Sequence, residues 1–296
     1  MIAADANAPK GIVWIASYPK SGNTWIRIFL HHLIRIKRGL PASENEIDRI
    51  ADTSPSIAGQ VDAFARIMRK PLAQASMHDV VLARPKVSEE MARHANGVLQ
   101  VKTHSVMGRI FDTPLINLGV SVGAIYVVRN PLDVVVSLSD YMAKPIDATI
   151  TSLGAHLNAS PTTDLLVAEI WGSWSENVKS WTTDPPPVIR VVRYEDLIAD
   201  PIGSFTAIAE HMRIGATPGE IEEAVRLSSF SELTKKEQKS GFVDRPEWID
   251  RFFRVGRAGQ WRDRLAPQQV ARIVADHREQ MARFGYLPEG PGTAAA

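Results

Sequence analysis

"GIVWIASYPKSGNTWIRIFLHHLIRIK", residues 11–37, is the stretch on which the fold turns. An apolar run, Gly11 to Ser17, passes through "YPKSGNTW" (18–25) into a helix-like run over 24–37. Being apolar on both faces, 11–17 suits a buried parallel strand better than a half-exposed one. The following helix is expected to begin near Ser21 to Asn23. Backbone N–H groups in a turn and at a helix N-terminus form an anion site. Gly22 permits close backbone approach, Ser21 and Thr24 add hydroxyl donors, and Lys20 adds a full positive charge. The same residues also spell an ordinary Pro–Gly turn with a solvated lysine. The Gly-x-x-x-x-Gly-Lys-Ser/Thr spacing of triphosphate loops is absent.

Working outward, three more short apolar runs recur at 97–102, 122–128 and 187–193, with helix-like stretches at 131–142 and 163–181. Strands alternating with helices predict an α/β fold, a central and mostly parallel sheet flanked by helices. Ligands of such sheets bind beyond the C-terminal ends of the strands, so residues following each strand rank first as candidates. Residues 38–96 have no readable order, 143–162 reads as a long loop, and 235–260 as a second irregular stretch. Long loops in compact domains are often lids or binding loops. One domain over 1–296 is expected, with its core at about 11–287 and a flexible tail at 288–296.

Composition removes several classes. There is no cysteine, which excludes disulfides, thiolate metal sites and Cys nucleophiles. A formal charge of +1 gives no support for nucleic-acid or membrane partners. The start "MIAADANAPKG" lacks a basic segment followed by an apolar one, and no apolar run approaches the roughly 18–20 residues of a bilayer span. A soluble, cytoplasmic protein is expected.

Two further strand ends carry chemistry. In "VGAIYVVRNPLDVVVSLSDYM", Arg129 ends the strand, Asn130 is a good N-cap, Pro131 fits the first helical turn and Asp133 favours the positive helix end. Capping explains the last three; it does not explain Arg129, whose guanidinium can grip phosphate bidentately. Ser137 can face the same crevice or solvent. In "VKTHS", Lys102, Thr103 and His104 follow an apolar run, and a histidine there can act as general base. That position lifts His104 above the other seven of the eight histidines. Trp171, Trp174, Val178 and Trp181 recur at helical spacing as a core stripe.

Taken in order, "YPKSGNTW", "KTH", "VVRNPLDVVVS", "WGSWSENVKSW", "RYEDLIADP", "LSSF" and "RVGRAGQWR" resemble successive motifs of the soluble sulfotransferases, from about residue 11 to 265. That resemblance implies a P-loop nucleotide-hydrolase-like sulfotransferase fold. It implies 3′-phosphoadenosine 5′-phosphosulfate (PAPS) as co-substrate, adenosine 3′,5′-bisphosphate (PAP) as product, a small-molecule acceptor and no required metal. By the same resemblance, Lys20, Ser21, Gly22, Asn23, Thr24 and Trp25 form the 5′-phosphosulfate loop. Arg129, Ser137, Arg254 and Gly256 match 3′-phosphate contacts, and Tyr194, Ser229 and Phe230 contacts to adenosine. His104 matches the base, and Lys20 the group that stabilises the leaving phosphate, with Lys102 and Ser137 close by. Three positions depart from the family: Asn23 where threonine is common, Val255 where lysine is frequent, and Gln260 where aspartate is usual. Arg257 stands near enough in sequence to replace that lysine. The alternatives are a small-molecule or nucleotide kinase with a variant phosphate loop, and a non-catalytic nucleotide-binding module.

Overall fold

A computed structural model describes residues 10–40, 46–243, 245, 248–253 and 256–288. The opening stretch folds as a wholly buried strand, β1 (Gly11–Ser17), a turn, and helix α1 (Asn23–Lys37). Next come α2 (Ile50–Thr53), α3 (Val61–Met68), α4 (Met77–His94) and β2 (Val98–Thr103). A short antiparallel ribbon of β3 (Arg109–Ile110) and β4 (Thr113–Pro114) leads to β5 (Ser121–Val128), α5 (Pro131–Met142), α6 (Ile146–Gly154) and α7 (Trp174–Thr182). After β6 (Ile189–Arg193) follow α8 (Tyr194–Ala199), α9 (Pro201–His211) and α10 (Pro218–Leu227). Helices α11 (Phe230–Ser240), α12 (Trp261–Arg264) and α13 (Pro267–Arg283) complete the chain.

The main sheet has the order β2-β1-β5-β6, every neighbouring pair parallel. Successive side chains of a strand point to opposite faces, so a strand covered on both sides must be apolar throughout. Accordingly Trp14, Ala16, Tyr126 and Val128 enter one core with Leu132, Trp174, Val178, Trp181 and Met281. Their neighbours Val13, Ile15, Ile125 and Val127 enter another with Ile26, Phe29, Phe205 and Ile221. Burying each large apolar side chain contributes about 1.5–3 kcal/mol, which fixes strand register on both faces at once. Register then fixes which residues leave the sheet together at its C-terminal edge.

Three segments differ from the sequence expectation. The pattern over 163–181 predicts one helix, but only Trp174–Thr182 is helical. Ser173 and Glu176 form a reciprocal capping box there, and Gly172 before it has φ +65°. Upstream residues instead pair antiparallel with 158–163: the Trp171 N–H donates to the Asn158 carbonyl at 2.7 Å and the Ser160 N–H to the Glu169 carbonyl at 3.0 Å. Trp171 therefore falls outside the helical stripe, edge-on to Tyr18 at 6.4 Å, whereas Trp174, Val178 and Trp181 are buried as expected. Within the expected loop 143–162 lies α6, which buries Thr149, Ile150 and Leu153. The irregular stretch from 235 is helical as far as Ser240, where Gly241 at φ +78° ends α11. Of the tail 288–296, residues 289–296 lie outside the described residues.

Candidate active site

The turn after β1 is a strained one, with Lys20 at φ +65° and Gly22 at φ +108°. A Cβ on Gly22 would sit 2.7 Å from a ring carbon of Tyr194, so only glycine fits between loop and ring. Helix α1 starts at Asn23; the Trp25 N–H donates to the Gly22 carbonyl at 3.0 Å, while the N–H groups of Asn23 and Thr24 before it have no preceding helical carbonyl to reach. Asn23 itself faces inward: Nδ2 donates to the Ile15 carbonyl at 2.7 Å, tying the turn to the strand. Ser21 Oγ and Trp25 Nε1 are buried polar atoms with no protein partner, as an anion and its attached group require of a cradle. The Trp25 ring lies edge-on to Tyr194 at 6.0 Å and Phe205 at 5.3 Å. Thr24 is half-buried on the first turn of α1.

Arg129 leaves β5 beside this turn and is 5% exposed. Its Nη1 donates to the Lys20 carbonyl at 2.9 Å, and its guanidinium lies 4.3 Å from the centroid of the Tyr194 ring. Tyr194 is the first residue after β6. Three adjacent strand ends are thus joined through one arginine. The Lys20 ammonium sits 4.0 Å from the centroid of Tyr141 and 4.4 Å from that of Phe252. These residues, with Ser137 and Arg251, line a cavity of about 30 Å³.

His104 follows β2, which is hydrogen-bonded to β1 on the side opposite β5. Its Nδ1 lies 2.8 Å from the Ser17 carbonyl and 3.3 Å from Ser17 Oγ. A carbonyl only accepts, so Nδ1 carries the proton and Nε2 keeps the lone pair. Asn177 Nδ2 donates to the His104 carbonyl at 2.9 Å. Burial of the ring and then the Lys102 charge hold the imidazole down to about 4, with Arg27 adding to this. Glu169 and the Ser17 carbonyl partly oppose that shift. The imidazole is therefore neutral at working pH, with the Nε2 lone pair free. Lys102 is fixed through its main chain, which pairs with 55–57: its N–H donates to the Pro55 carbonyl at 2.9 Å.

Arg254 lies outside the described residues, but the loop around it is anchored from both sides. Glu237, buried in α11, accepts from the Phe252 N–H at 2.6 Å and the Phe253 N–H at 2.9 Å. Asp133, 1% exposed in the first turn of α5, accepts from the Gly259 N–H at 2.7 Å and the Trp261 N–H at 3.1 Å. Gly256 between them has φ +59°, and a Cβ there would meet the Phe230 ring at 2.4 Å. Phe230 thus packs on Gly256 as Tyr194 packs on Gly22, while Ser229 caps α11. Arg257 pairs with Asp263 at 3.4 Å, and Gln260 donates to the Arg257 carbonyl at 3.0 Å. Glu195 accepts from the Asn130 N–H at 3.1 Å and from the Tyr286 hydroxyl at 2.7 Å. Sequence reasoning missed Ser17, Asn177, Glu237 and the reach of Asp133; only Asp133 carried a signal, which local capping already explained. Among the described residues no group of three His, Asp or Glu is placed to hold a metal ion.

The turn after β1, an arginine and a histidine thus stand together at adjacent strand ends of a parallel α/β sheet, and the family match places that sheet in a class of group-transfer enzymes. Residues 10–285 match the sulfotransferase domain, and the chain belongs to the sulfotransferase family. It is 22% identical over 290 residues to cytosolic sulfotransferase 17 of Arabidopsis thaliana, covering 93% of this chain and 75% of that one. To flavonol 3-sulfotransferase of Flaveria bidentis it is 21% identical over 295 residues, covering 93% and 83%. The fold resembles mouse sulfotransferase SULT7A1 complexed with PAP, with a TM-score of 0.60, 19% identity and 95% and 91% coverage. Retinol dehydratase in complex with retinol and PAP gives 0.63, 18% identity and 94% and 83% coverage. No described helix is long and apolar enough to cross a membrane.

Proposed function

We propose that the protein transfers the sulfuryl group of PAPS to a hydroxyl, or an amine, of a small-molecule acceptor in the cytoplasm, with His104 as base and Lys20 opposite the leaving phosphate. The observation that carries this reading is the Nδ1 contact of His104 to the Ser17 carbonyl. It sets the lone pair of Nε2 on a ring fastened to the strand that delivers the anion loop.

The residues fit the nucleotide. Orphaned Ser21 Oγ and Trp25 Nε1, with the close-approach glycine Gly22, suit the 5′-phosphosulfate. Arg129, Ser137, Gly256 and Arg254 are assigned to the 3′-phosphate, and Tyr194, Ser229 and Phe230 to the adenosine. The donor supplies a sulfur bonded to its 5′-phosphate through an oxygen bridge, which is the bond that breaks. His104 Nε2 takes the acceptor's proton as the new oxygen–sulfur bond forms, while Nδ1–H stays with Ser17. Lys20 meets the charge developing on the phosphate oxygen, and Lys102 and Ser137 stand by to share it. Transfer through a loose, charge-rich transition state asks mainly for alignment and fixed positive charge. We propose that no metal is required.

One relative is a flavonol 3-sulfotransferase, and a structural neighbour, retinol dehydratase, is in complex with retinol. For this chain we propose a small molecule with a nucleophilic hydroxyl or amine. The test uses labelled PAPS with a phenol, alcohol and amine panel, with and without chelator. His104→Ala is expected to lower kcat by about 10²–10⁴-fold and to leave PAP affinity intact. Unchanged turnover in that variant removes His104 as base. ATP- and Mg²⁺-dependent transfer would mark a kinase instead, and PAP binding without turnover on any acceptor a binding module.

A further inference from the structure

Glu169 is 3% exposed, and of the groups assigned above it meets only the main chain of His104. Its Oε1 accepts from Thr103 Oγ1 at 2.8 Å and from the His104 N–H at 2.9 Å. The antiparallel pairing of 158–171 holds it there: Ser160 donates its N–H to the Glu169 carbonyl and accepts the Glu169 N–H on Oγ at 2.9 Å. Both contacts of Oε1 need only an acceptor, which a neutral amide would supply. A buried charge at this place therefore asks for a further reason, since burial disfavours ions unless they are compensated.

Compensation is present. Arg84, 1% exposed on α4, donates Nη2 to the Ala168 carbonyl at 2.5 Å, one residue from Glu169, while its Nε and Nη1 have no hydrogen-bond partner. Burial alone would raise the Glu169 carboxyl, but attraction to the His104 ring in its protonated form, then to the charges of Arg84 and Lys102, together with the His104 N–H, holds the group below its usual range. The charges that act on the His104 ring are two cations, Lys102 and Arg27, and one carboxylate, Glu169, whose Oε1 lies on the His104 main-chain N–H, while the Ser17 carbonyl lies on Nδ1. Of these charges only the carboxylate becomes more favourable when the ring gains a proton.

We propose that Glu169 is the positioning residue of His104, fixing its main chain and compensating the imidazolium that forms during transfer, with the Arg84 guanidinium keeping the carboxylate ionised. This rests on the reading of His104 as base. The acceptor's proton passes to Nε2, the acceptor oxygen bonds to sulfur, and the electrons of the broken sulfur–oxygen bond stay on the 5′-phosphate. Glu169 gains no proton. It acts through the ring.

The test is Glu169→Gln, which keeps both acceptor contacts and removes the charge, beside Thr103→Val, which removes one contact and keeps the charge. Glu169→Gln is expected to lower kcat by about tenfold or more with KM for PAPS and affinity for PAP unchanged, and Thr103→Val to stay near the wild type. An unaltered kcat in Glu169→Gln overturns the proposal, as does a parallel loss of kcat and PAP affinity, which would mark a scaffold residue. Should the single variant fail to fold, Arg84→Met with Glu169→Gln removes the orphaned cation as well, and the same kcat loss is expected. His104→Ala is measured alongside. Normal turnover there overturns the base itself; a dead His104→Ala with a fully active Glu169→Gln overturns only the role of Glu169.

Discussion

Asp133 offers the most direct way to ask whether the late loop holds the 3′-phosphate. Its buried carboxylate accepts two N–H groups, from Gly259 and Trp261, and so fastens the end of that loop to α5, the helix that also carries Ser137. Asp133→Asn is nearly isosteric but places an NH₂ group against one of the two donors. A hydrogen bond to a charged group contributes about 1.5–3 kcal/mol. Losing one such bond and the charge behind the other should release the loop by about 2–3 kcal/mol. A nucleotide that needs the loop ordered must then supply that amount on binding, which corresponds to about 30–150-fold in affinity. Titration calorimetry with PAP and, separately, with adenosine 5′-phosphate reads the difference. PAP is expected to lose that factor and the monophosphate almost nothing. An equal loss for both ligands would show the anchor to be structural only, and no loss for either would refute the clamp.

Two further outcomes follow from the site. With its folded pKa lowered to about 4, His104 is neutral throughout the range from its usual 6.5 down to that value, so a base role predicts kcat/KM flat from pH 7 to about 5 and falling only below it. A descending limb centred near 6.5 would contradict the burial described for the ring. Gly22→Ala adds a Cβ at φ +108° and 2.7 Å from Tyr194, a backbone cost of about 1–3 kcal/mol and an overpacking cost of similar size. Calorimetry should show a lower melting temperature and weakened PAP binding together; a variant with both unchanged would mean that the loop and the tyrosine do not pack as seen.

The central strands were legible because burial on both faces leaves an unbroken apolar run, and "GIVWIAS" or "AIYVV" admits few other uses. The strand-end placement of Lys20, His104, Arg129 and Tyr194 was legible for the same reason, each lying next to a recognisable strand end. What was hidden depends on partners far along the chain. Glu169 stands in a stretch whose Trp and Val spacing imitates a helix, yet the segment is extended because it pairs with 158–163. Helix α4 carries Pro85 in its interior, a residue that argues for a helix end in sequence, and so residues 38–96 yielded no order. Glu237 meets Phe252 and Phe253 across 15 and 16 residues, a distance at which no periodicity reports. Asn23 is read from sequence as part of the anion loop, and the tie of its Nδ2 to the Ile15 carbonyl, eight residues back, has no signal in the sequence.

The strand order gives the reaction a ruler. Neighbouring strands lie about 4.8 Å apart, so the four ends from β2 to β6 span about 14 Å. Along that edge stand, in sequence of space and not of chain, His104, the Lys20 loop, Arg129 and Tyr194. Each division is set by backbone hydrogen bonds that no side-chain substitution can stretch. Changing the acceptor should therefore be a matter for the loops above the edge, while the interval between the proposed base, the transferred group and the proposed nucleotide contacts stays as the sheet dictates.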